Sequence, residues 1–447
     1  MSGDLSSDEV RALLFGPSAP KPRRRRRPRP QRTASEKRHL EPVAPRDAPP
    51  ITLDELVETF RRYLYLPDTL PLCVVLAAVA ANRLPGDPVW LLLVGPPSSG
   101  KTELLNTLDD LERVWRLDVA TEAGLMTTGR DGALGGVLGE IMETDDREGI
   151  VVVKDLSTVL AEGPTRRAGL FADLRRIYDG EWERALGKHG GTQLRFEGKV
   201  GLLGAATDAI DRLTDEIGDL GPRMLLFRMP DVDADAQLRA AGRNVGHQAD
   251  MRAVLADAVE RFLAGLDFGE WPITDDPDIP DLRALASWAA WCRSAVVRDR
   301  WGEHQIEHVP RPEPGARLYA GLLQLTAGAI TIRLDDMTVD TLVRQVALDS
   351  IPAMRRRLTD ELLAQLGRSP TTRTLGDKVG LPTRVVGRVC EDLAALGVLE
   401  RSAEAEHGEH HWSVSDEARS LARRAGLLTT DRDTDKEEPH GIHDGDY

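Results

Sequence analysis

Cysteine is scarce. The chain holds three in 447 residues, Cys73, Cys292 and Cys390, far apart and without a CxxC pair. That spacing excludes a disulfide framework and a cysteine-based zinc site, and it fits a reducing compartment. Long apolar runs are missing too. The longest, Leu72–Ala81 and Val89–Val94, are about half of the ~20 residues that cross a bilayer, so no membrane partner is expected. Met1–Phe15 lacks the basic stretch and apolar segment of a secretory signal, which makes the cytoplasm the expected location. Internal repeats are absent.

Positive charge is in deficit, with 58 Lys+Arg against 73 Asp+Glu and a net charge of −15. The deficit is uneven. Residues 1–50 hold 12 basic and 6 acidic residues, which leaves 46 against 67, or −21, for everything after them. Wholesale disorder is excluded by 41% apolar and 29% charged residues, ordinary globular usage. Residues 16–50, centred on PKPRRRRRPRPQR, have no apolar periodicity and read as a flexible arm. Arg23, Arg24, Arg25, Arg26 and Arg27 in it are candidate DNA phosphate contacts; the same run also suits a solubilising or partner-binding tail. Neutralising about five phosphates predicts a log–log salt slope near −4.5. The acidic stretch 429–447 is expected to be disordered as well.

Between the tails, short apolar runs alternate with helical periodicity. Trp90–Val94, Gly149–Val153, Val200–Ala206 and Met224–Met229 read as buried strands. Leu53–Leu64, Leu70–Ala81, Leu104–Arg113, Gly169–Tyr178 and Ala209–Ile217 read as helices. The alternation predicts an α/β core with a mainly parallel sheet. From about Ala234 the pattern is helical, as in Met251–Leu266, Leu282–Arg300, Ala316–Ile330 and Val339–Leu348. The expected organisation is an arm (1–49), an α/β core (50–233), a helical lid (234–357), a small C-terminal module (358–428) and a tail (429–447).

GPPSSGKT, Gly95 to Thr102, follows the run WLLLV and precedes a helical stretch. It satisfies GxxxxGK(S/T) in the strand–loop–helix setting that the motif requires. Glycines let successive N–H groups turn inward on phosphate oxygens at the positive end of a helix. Gly95, Pro96, Pro97, Ser98, Ser99, Gly100, Lys101, Thr102 and Glu103 are therefore candidate ATP contacts. Lys101 supplies charge to the β- and γ-phosphates, and the Thr102 hydroxyl suits Mg²⁺. A carboxylate at the end of GIVVVKDLST is also needed, and Asp155 is the candidate. Two registers are open there: Lys154 at the metal position with Asp155 polarising water, or Asp155 on the metal with Leu156 in the place of a second acid. Glu162 and Glu140 are possible substitutes. Thr207, ending GLLGAAT, is placed to orient water. Arg223 and Arg228 flank the next strand, where an arginine can stabilise transition-state charge.

The succession GPPSSGKT, IVVVKD, GLLGAAT and GPR, followed by a helical segment, resembles the AAA+ ATPases over roughly residues 50–350. That resemblance implies ATP binding, a ring-shaped homo-oligomer such as a hexamer, and Arg223 reaching a neighbour's nucleotide. The stretch RPEPGARLYAGLLQLTAGAITIRLDDMTVDTLVRQV is similar to the lid of minichromosome-maintenance helicases, with Arg317 as a second sensor of the γ-phosphate. A hairpin from Glu183–Leu186 and Thr192–Phe196 resembles the pore hairpin of such helicases, with Lys188 beside His189 as the DNA-gripping residue; a plain solvated turn fits these residues equally. No GAFTGA-like loop occurs in Leu125–Gly139, unlike the polymerase-remodelling activators. A nearer match is to poorly characterised bacterial and phage-type ATP-binding proteins with DLST…RRIYDGEWER…GLLGAAT.

Helical spacing in Leu358–Leu366, Thr374–Leu381 and Thr383–Leu396, then VLERSAEAEHGEHHWSVS, resembles a winged helix-turn-helix. Arg384 and Arg388 lie on the outer face of its third helix, where they would enter a major groove; a protein-binding winged helix is the alternative. The expected activity is an oligomeric ATPase acting on DNA, helicase- or initiator-like. The alternative is an ATP-switched DNA-binding regulator with little hydrolysis.

Overall fold

The computed structural model describes residues 48–118, 121–128, 133–160, 162–185, 193–213, 223–273, 282–299, 305–403 and 410–428. The arginines of the arm, Lys188 and the acidic tail lie outside the described residues. The chain divides into Met1–Glu41 and Pro42–Tyr447, and every described residue belongs to the second unit.

Five parallel strands make the central sheet: β1 (Trp90–Val94), β2 (Val114–Leu117), β3 (Glu148–Val153), β4 (Lys199–Ala206) and β5 (Met224–Arg228), in the order β2-β3-β4-β1-β5. Strands β1 and β4 are covered on both faces, so their sequences WLLLV and VGLLGAA run apolar without alternation. Four of the five strands match the apolar runs. The fifth, β2, is a half-exposed edge strand of sequence VWRL, too short and too polar to stand out. It occupies the chain after a helix expected to reach Arg113. That helix, α3 below, stops at Asn106, where the Thr107 hydroxyl donates to the Leu104 carbonyl at 2.7 Å.

Helix α1 (Leu53–Tyr63) starts on a capping box in which Thr52 and Glu55 bond each other's backbone N–H. Helix α2 (Leu70–Arg83) is apolar nearly all round because it is enclosed. Helix α3 (Lys101–Asn106) follows the phosphate-loop motif, and α4 (Pro164–Tyr178) packs below the sheet's inner strands. Glu181–Ala185 and Gln193–Glu197 form an antiparallel hairpin whose Trp182, Leu194 and Phe196 enter the same core. A 3₁₀ turn, Asp208–Leu213, stands where the α-helix Ala209–Ile217 was expected to begin.

Helices then dominate: α5 (Ala234–Arg243), α6 (Gln248–Ala264), α7 (Leu282–Arg293), α8 (Ala316–Thr331), α9 (Asp336–Asp349), α10 (Ala353–Leu363), α11 (Thr372–Val379), α12 (Thr383–Ala395) and α13 (Asp416–Arg424). Helix α7 ends at Arg293, short of the expected Arg300, and a small antiparallel pair, Val297–Arg298 with Ile306–His308, follows. Helix α8 lies against α2 so closely that a Cβ on Gly328 would sit 2.1 Å from the Ala77 carbonyl oxygen. Its Gln324 amide donates to the Ala81 and Pro85 carbonyls at 3.0 and 2.9 Å.

Edge strand β5 is closed by side chains from the end of α9. The Leu226 and Arg228 N–H groups, two residues apart and facing outward, donate to Ser350 Oγ (3.1 Å) and Asp349 Oδ2 (2.7 Å). An unpaired row of donors is thereby removed. Helices α10 to α12 and the antiparallel pair Leu399–Ala403 with His410–Val414 sit on this helical layer. Buried Arg355 of α10 donates to the Cys292 and Ser294 carbonyls, and Trp291 Nε1 donates to the Leu396 carbonyl at 2.7 Å. No described helix is long and apolar enough to cross a membrane.

Candidate nucleotide site at the strand ends

The loop after β1 is set by its own sequence. Gly95 N–H donates to the Ala206 carbonyl at the end of β4, and a Cβ at Gly95 would meet Met229 Cβ at 3.1 Å. Ser98 has φ +67° and Gly100 φ +91°, so the chain passes twice through left-handed backbone before α3 begins. Glycine adopts that conformation without the steric cost of a side chain. The turn leaves the first N–H groups of α3 without helical partners, the usual donors to an anion.

Lys101 is only 8% exposed. Its Nζ donates to the carbonyls of Gly95 (2.8 Å) and Pro96 (2.7 Å) and to Ser99 Oγ (3.0 Å). Burial holds this amine below the usual lysine range, opposed by the charges of Asp208 and then Asp155. Two carboxylates therefore act on the loop lysine, one more than the sequence pattern identifies. Thr102 is exposed on the first turn of α3. Glu103, expected among the nucleotide contacts, has its carboxylate gripped by Arg252 of α6 at 2.6 and 2.8 Å, which holds it below the usual glutamate range.

Strand order brings the rest together. Because β4 lies between β1 and β3, Thr207 follows the strand between the loop and Asp155. Asp155 Oδ1 accepts from Ser157 N–H at 2.8 Å, and Ser157 Oγ accepts from Thr207 N–H at 3.3 Å and lies 3.4 Å from Thr207 Oγ1. Lys154 is engaged elsewhere, its Nζ 2.8 Å from Asp109, which also pairs with Arg116. Leu156 is buried in the core. Glu140 accepts from Trp115 Nε1 at 2.7 Å and Glu162 pairs with Arg166, so neither joins the loop lysine. Asp208 escapes the sequence pattern, although it directly follows Thr207. Ser157 escapes it too, and Arg252 carries no local signal at all.

Arg223 and Arg317 sit apart from the loop of their own chain. Arg223 is buried and clamps Asp179 with Nη2 at 2.7 and 2.9 Å, its guanidinium 5.4 Å from the Tyr178 ring centre. Tyr178 packs edge-on against Trp90, the first residue of β1, with ring centres 5.2 Å apart. Exposed Arg317, on the first turn of α8, acts electrostatically on the same Tyr178 and on Glu313. The phosphate loop leaves the other end of β1, a five-residue strand about 15 Å long at about 3.3 Å per residue. Arg228 is bound to Asp211 at 2.7 and 2.9 Å and to the Ile351 carbonyl. Arg384 and Arg388 are on α12, far along the chain from this site.

Beside the loop lies a cavity of about 160 Å³, lined by Tyr63 at the end of α1 and Leu64–Asp68 after it, by Ser98–Gly100 and by α5. Gln237 of α5 donates to the Ser98 carbonyl at 2.7 Å, and Asn244 to the Tyr63 carbonyl at 2.7 Å. Its lining is mostly apolar, with these two amides at the edge.

No family model matches the chain, and no curated protein matches it. Among solved structures it is similar to one described as an SCCmec type IV Cch active helicase, with TM-score 0.37 and 12% identity over 85% of this chain and 72% of that one. A second is the apo NrS-1 C-terminal region (305–718), with TM-score 0.28 and 11% identity over 83% of this chain and 78% of that one. Likenesses of this depth assign neither a family nor an activity.

Proposed function

We propose that this chain is an ATPase of the AAA+ type that works as an oligomer on DNA. The observation that carries it is the strand order. By placing β4 between β1 and β3, it gathers Lys101, Asp155, Thr207 and Asp208 around one phosphate loop. The carbonyls and hydroxyl that hold Lys101 Nζ are neutral, so a triphosphate outcompetes them for the ammonium. The adjoining apolar cavity is sized for a base, with Gln237 and Asn244 offering polar contacts at its edge.

The donor set suits Mg²⁺. Among the described residues no group of three or more His, Cys, Asp or Glu forms a metal site, and Mg²⁺ is normally held by one or two carboxylates plus substrate phosphates. The Thr102 hydroxyl and Asp155 would hold it, and when bound it would neutralise charge on the β- and γ-phosphates. Thr207, steadied by Ser157, orients the attacking water, and Asp208 accepts its proton. Arg223 and Arg317 lie about a strand's length from their own loop, so they act at a second copy's nucleotide, exposed Arg317 toward the phosphate and Arg223, bound to Asp179, in the surface that presents it. The winged helix-turn-helix reading of α10 to α12 and the following strand pair, together with the basic arm, supports DNA as the partner. A helicase- or initiator-like role fits these parts best.

One observation favours a second reading, an ATP-switched regulator that hydrolyses slowly. The residue after Asp155 is buried Leu156, where a water-polarising acid would be expected. ATP turnover with and without DNA separates the two. Stimulated turnover that disappears in Lys101→Ala supports the motor, whereas tight ATP binding with no turnover in the wild type refutes it.

A further inference from the structure

A cleft of about 530 Å³ lies between α12, the antiparallel pair of Val297–Arg298 with Ile306–His308, and the pair of Leu399–Ala403 with His410–Val414. Along α12 it is lined by one helical stripe, Arg384, Gly387, Arg388, Glu391 and Ala394, and Arg401 enters from the first strand of the pair. Arg384, Arg388 and Arg401 form no ion pair among the described residues. Glu391, the one acid among the described residues lining the cleft, is already neutralised by Arg298 at 3.2 Å. Asp392 next to it is held by Arg298 at 2.7 Å and by Arg355 at 3.6 Å. In a chain that carries −21 beyond its first 50 residues, three guanidiniums that pair with no carboxylate among the described residues line one recess.

The stripe is the face that a winged helix would lay into a major groove, and here it looks onto the pair of Val297–Arg298 with Ile306–His308. Arg298 ties the two together, since its Nη2 also donates to the Arg388 carbonyl at 3.0 Å. A duplex major groove, about 12 Å wide, accepts a helix that stands clear of its neighbours, and this helix does not. A single strand has no such requirement. Its phosphates need only a narrow basic channel, with guanidinium forks as the matching donors.

We propose that this cleft binds the phosphodiester backbone of single-stranded DNA, with Arg384, Arg388 and Arg401 as its phosphate contacts. The proposal rests on DNA being the partner and is independent of ATP hydrolysis. Arg401 belongs to it equally with the helix arginines, because it lines the same recess from a different element.

Fluorescence anisotropy of the full chain tests it, using a labelled oligothymidylate of about 20 nucleotides and a duplex of the same length. In the triple variant Arg384→Glu, Arg388→Glu, Arg401→Glu, single-strand affinity is expected to fall about tenfold or more. Three lost contacts at about −0.7 each should make the salt slope shallower by about 2. Arg401→Glu alone should weaken the single strand and Arg401→Lys restore most of it, with unchanged circular-dichroism melting as the folding control. Unchanged single-strand binding in the triple variant, with loss only on neutralising Arg23–Arg27, overturns the cleft and leaves the DNA reading intact. Tighter duplex than single-strand binding that depends on Arg384 and Arg388 but not Arg401 also overturns it. Failure of the wild type to bind either oligonucleotide overturns both.

Discussion

Asp349 offers the sharpest test of how the sheet edge is held. Its side chain is buried and accepts from the Arg228 N–H at 2.7 Å and the Gln345 amide at 3.0 Å, and it pairs with Arg356. Burial raises its carboxyl above the usual aspartate range, opposed by these partners, so the charge is kept at a cost that the donors offset. Asp349→Ala leaves the Arg228 N–H without an acceptor, about 1–3 kcal/mol. It also strips Arg356 of its buried partner, leaving it, among the described residues, Asp360 at 3.5 Å; breaking a buried pair costs about 3–5 kcal/mol. These losses overlap, and about 3 kcal/mol is expected, a large part of the roughly 5–15 kcal/mol that holds a domain folded. Asp349→Asn keeps an acceptor and has no charge to desolvate, so it should lose about half as much. Urea unfolding of the three proteins reads both numbers. An alanine variant within about 0.5 kcal/mol of wild type, or an asparagine variant as damaged as the alanine one, would overturn this account of the edge.

Gly328→Ala should lower the melting temperature. Its Cβ would meet the Ala77 carbonyl oxygen at 2.1 Å and the Ala81 nitrogen at 2.8 Å, both backbone atoms, and about 1–3 kcal/mol of overpacking exceeds the roughly 1 kcal/mol gained in helix propensity. An equal or higher melting temperature shows that α2 and α8 separate freely. Asp208→Asn should keep ATP binding and slow turnover by about a hundredfold, the lower end for a lost general base; single-turnover hydrolysis at the wild-type rate removes Asp208 from the chemistry. Arg317→Ala subunits, inactive alone, should regain part of their turnover when mixed with Lys101→Ala subunits, because each supplies what the other lacks. Titrating the mixing ratio without any recovery, in assemblies of normal mass, assigns Arg317 a structural role.

The strand–loop–helix unit around Gly95–Thr102 is legible because everything that defines it lies within about a dozen residues: an apolar strand, two glycines, a Lys-Thr pair and a helix start. Apolar runs likewise announce three of the other four strands, β3, β4 and β5, since burial removes polar residues from them. Edge strand β2 escaped notice for the opposite reason, as its exposed face carries Arg116. The early end of α3 turns on the Thr107 hydroxyl bonding back to Leu104, a choice that periodicity does not register. Partnerships across long separations left no local trace. Arg252 lies 149 residues from Glu103, and Asp349 lies 121 residues from the Arg228 N–H that it caps. The basic stripe of α12 is visible in the helical spacing, but its surroundings depend on a strand pair nearly a hundred residues earlier.

The two arginines at the far end of β1 differ in what a nucleotide from another copy would have to displace. Arg223 is 5% exposed on its side chain and spends its fork on Asp179. To reach a phosphate it would abandon a bidentate pair and the face of Tyr178. Arg317 is exposed, acts electrostatically on Tyr178 and Glu313, and has no ion pair among the described residues. Charge alone then ranks them: Arg317 can meet an incoming anion at little cost, while Arg223 is better suited to fixing Tyr178 and the end of α4 beneath it. A trans contact in this protein is therefore expected to depend on Arg317 for the phosphate and on Arg223 for the surface that presents it.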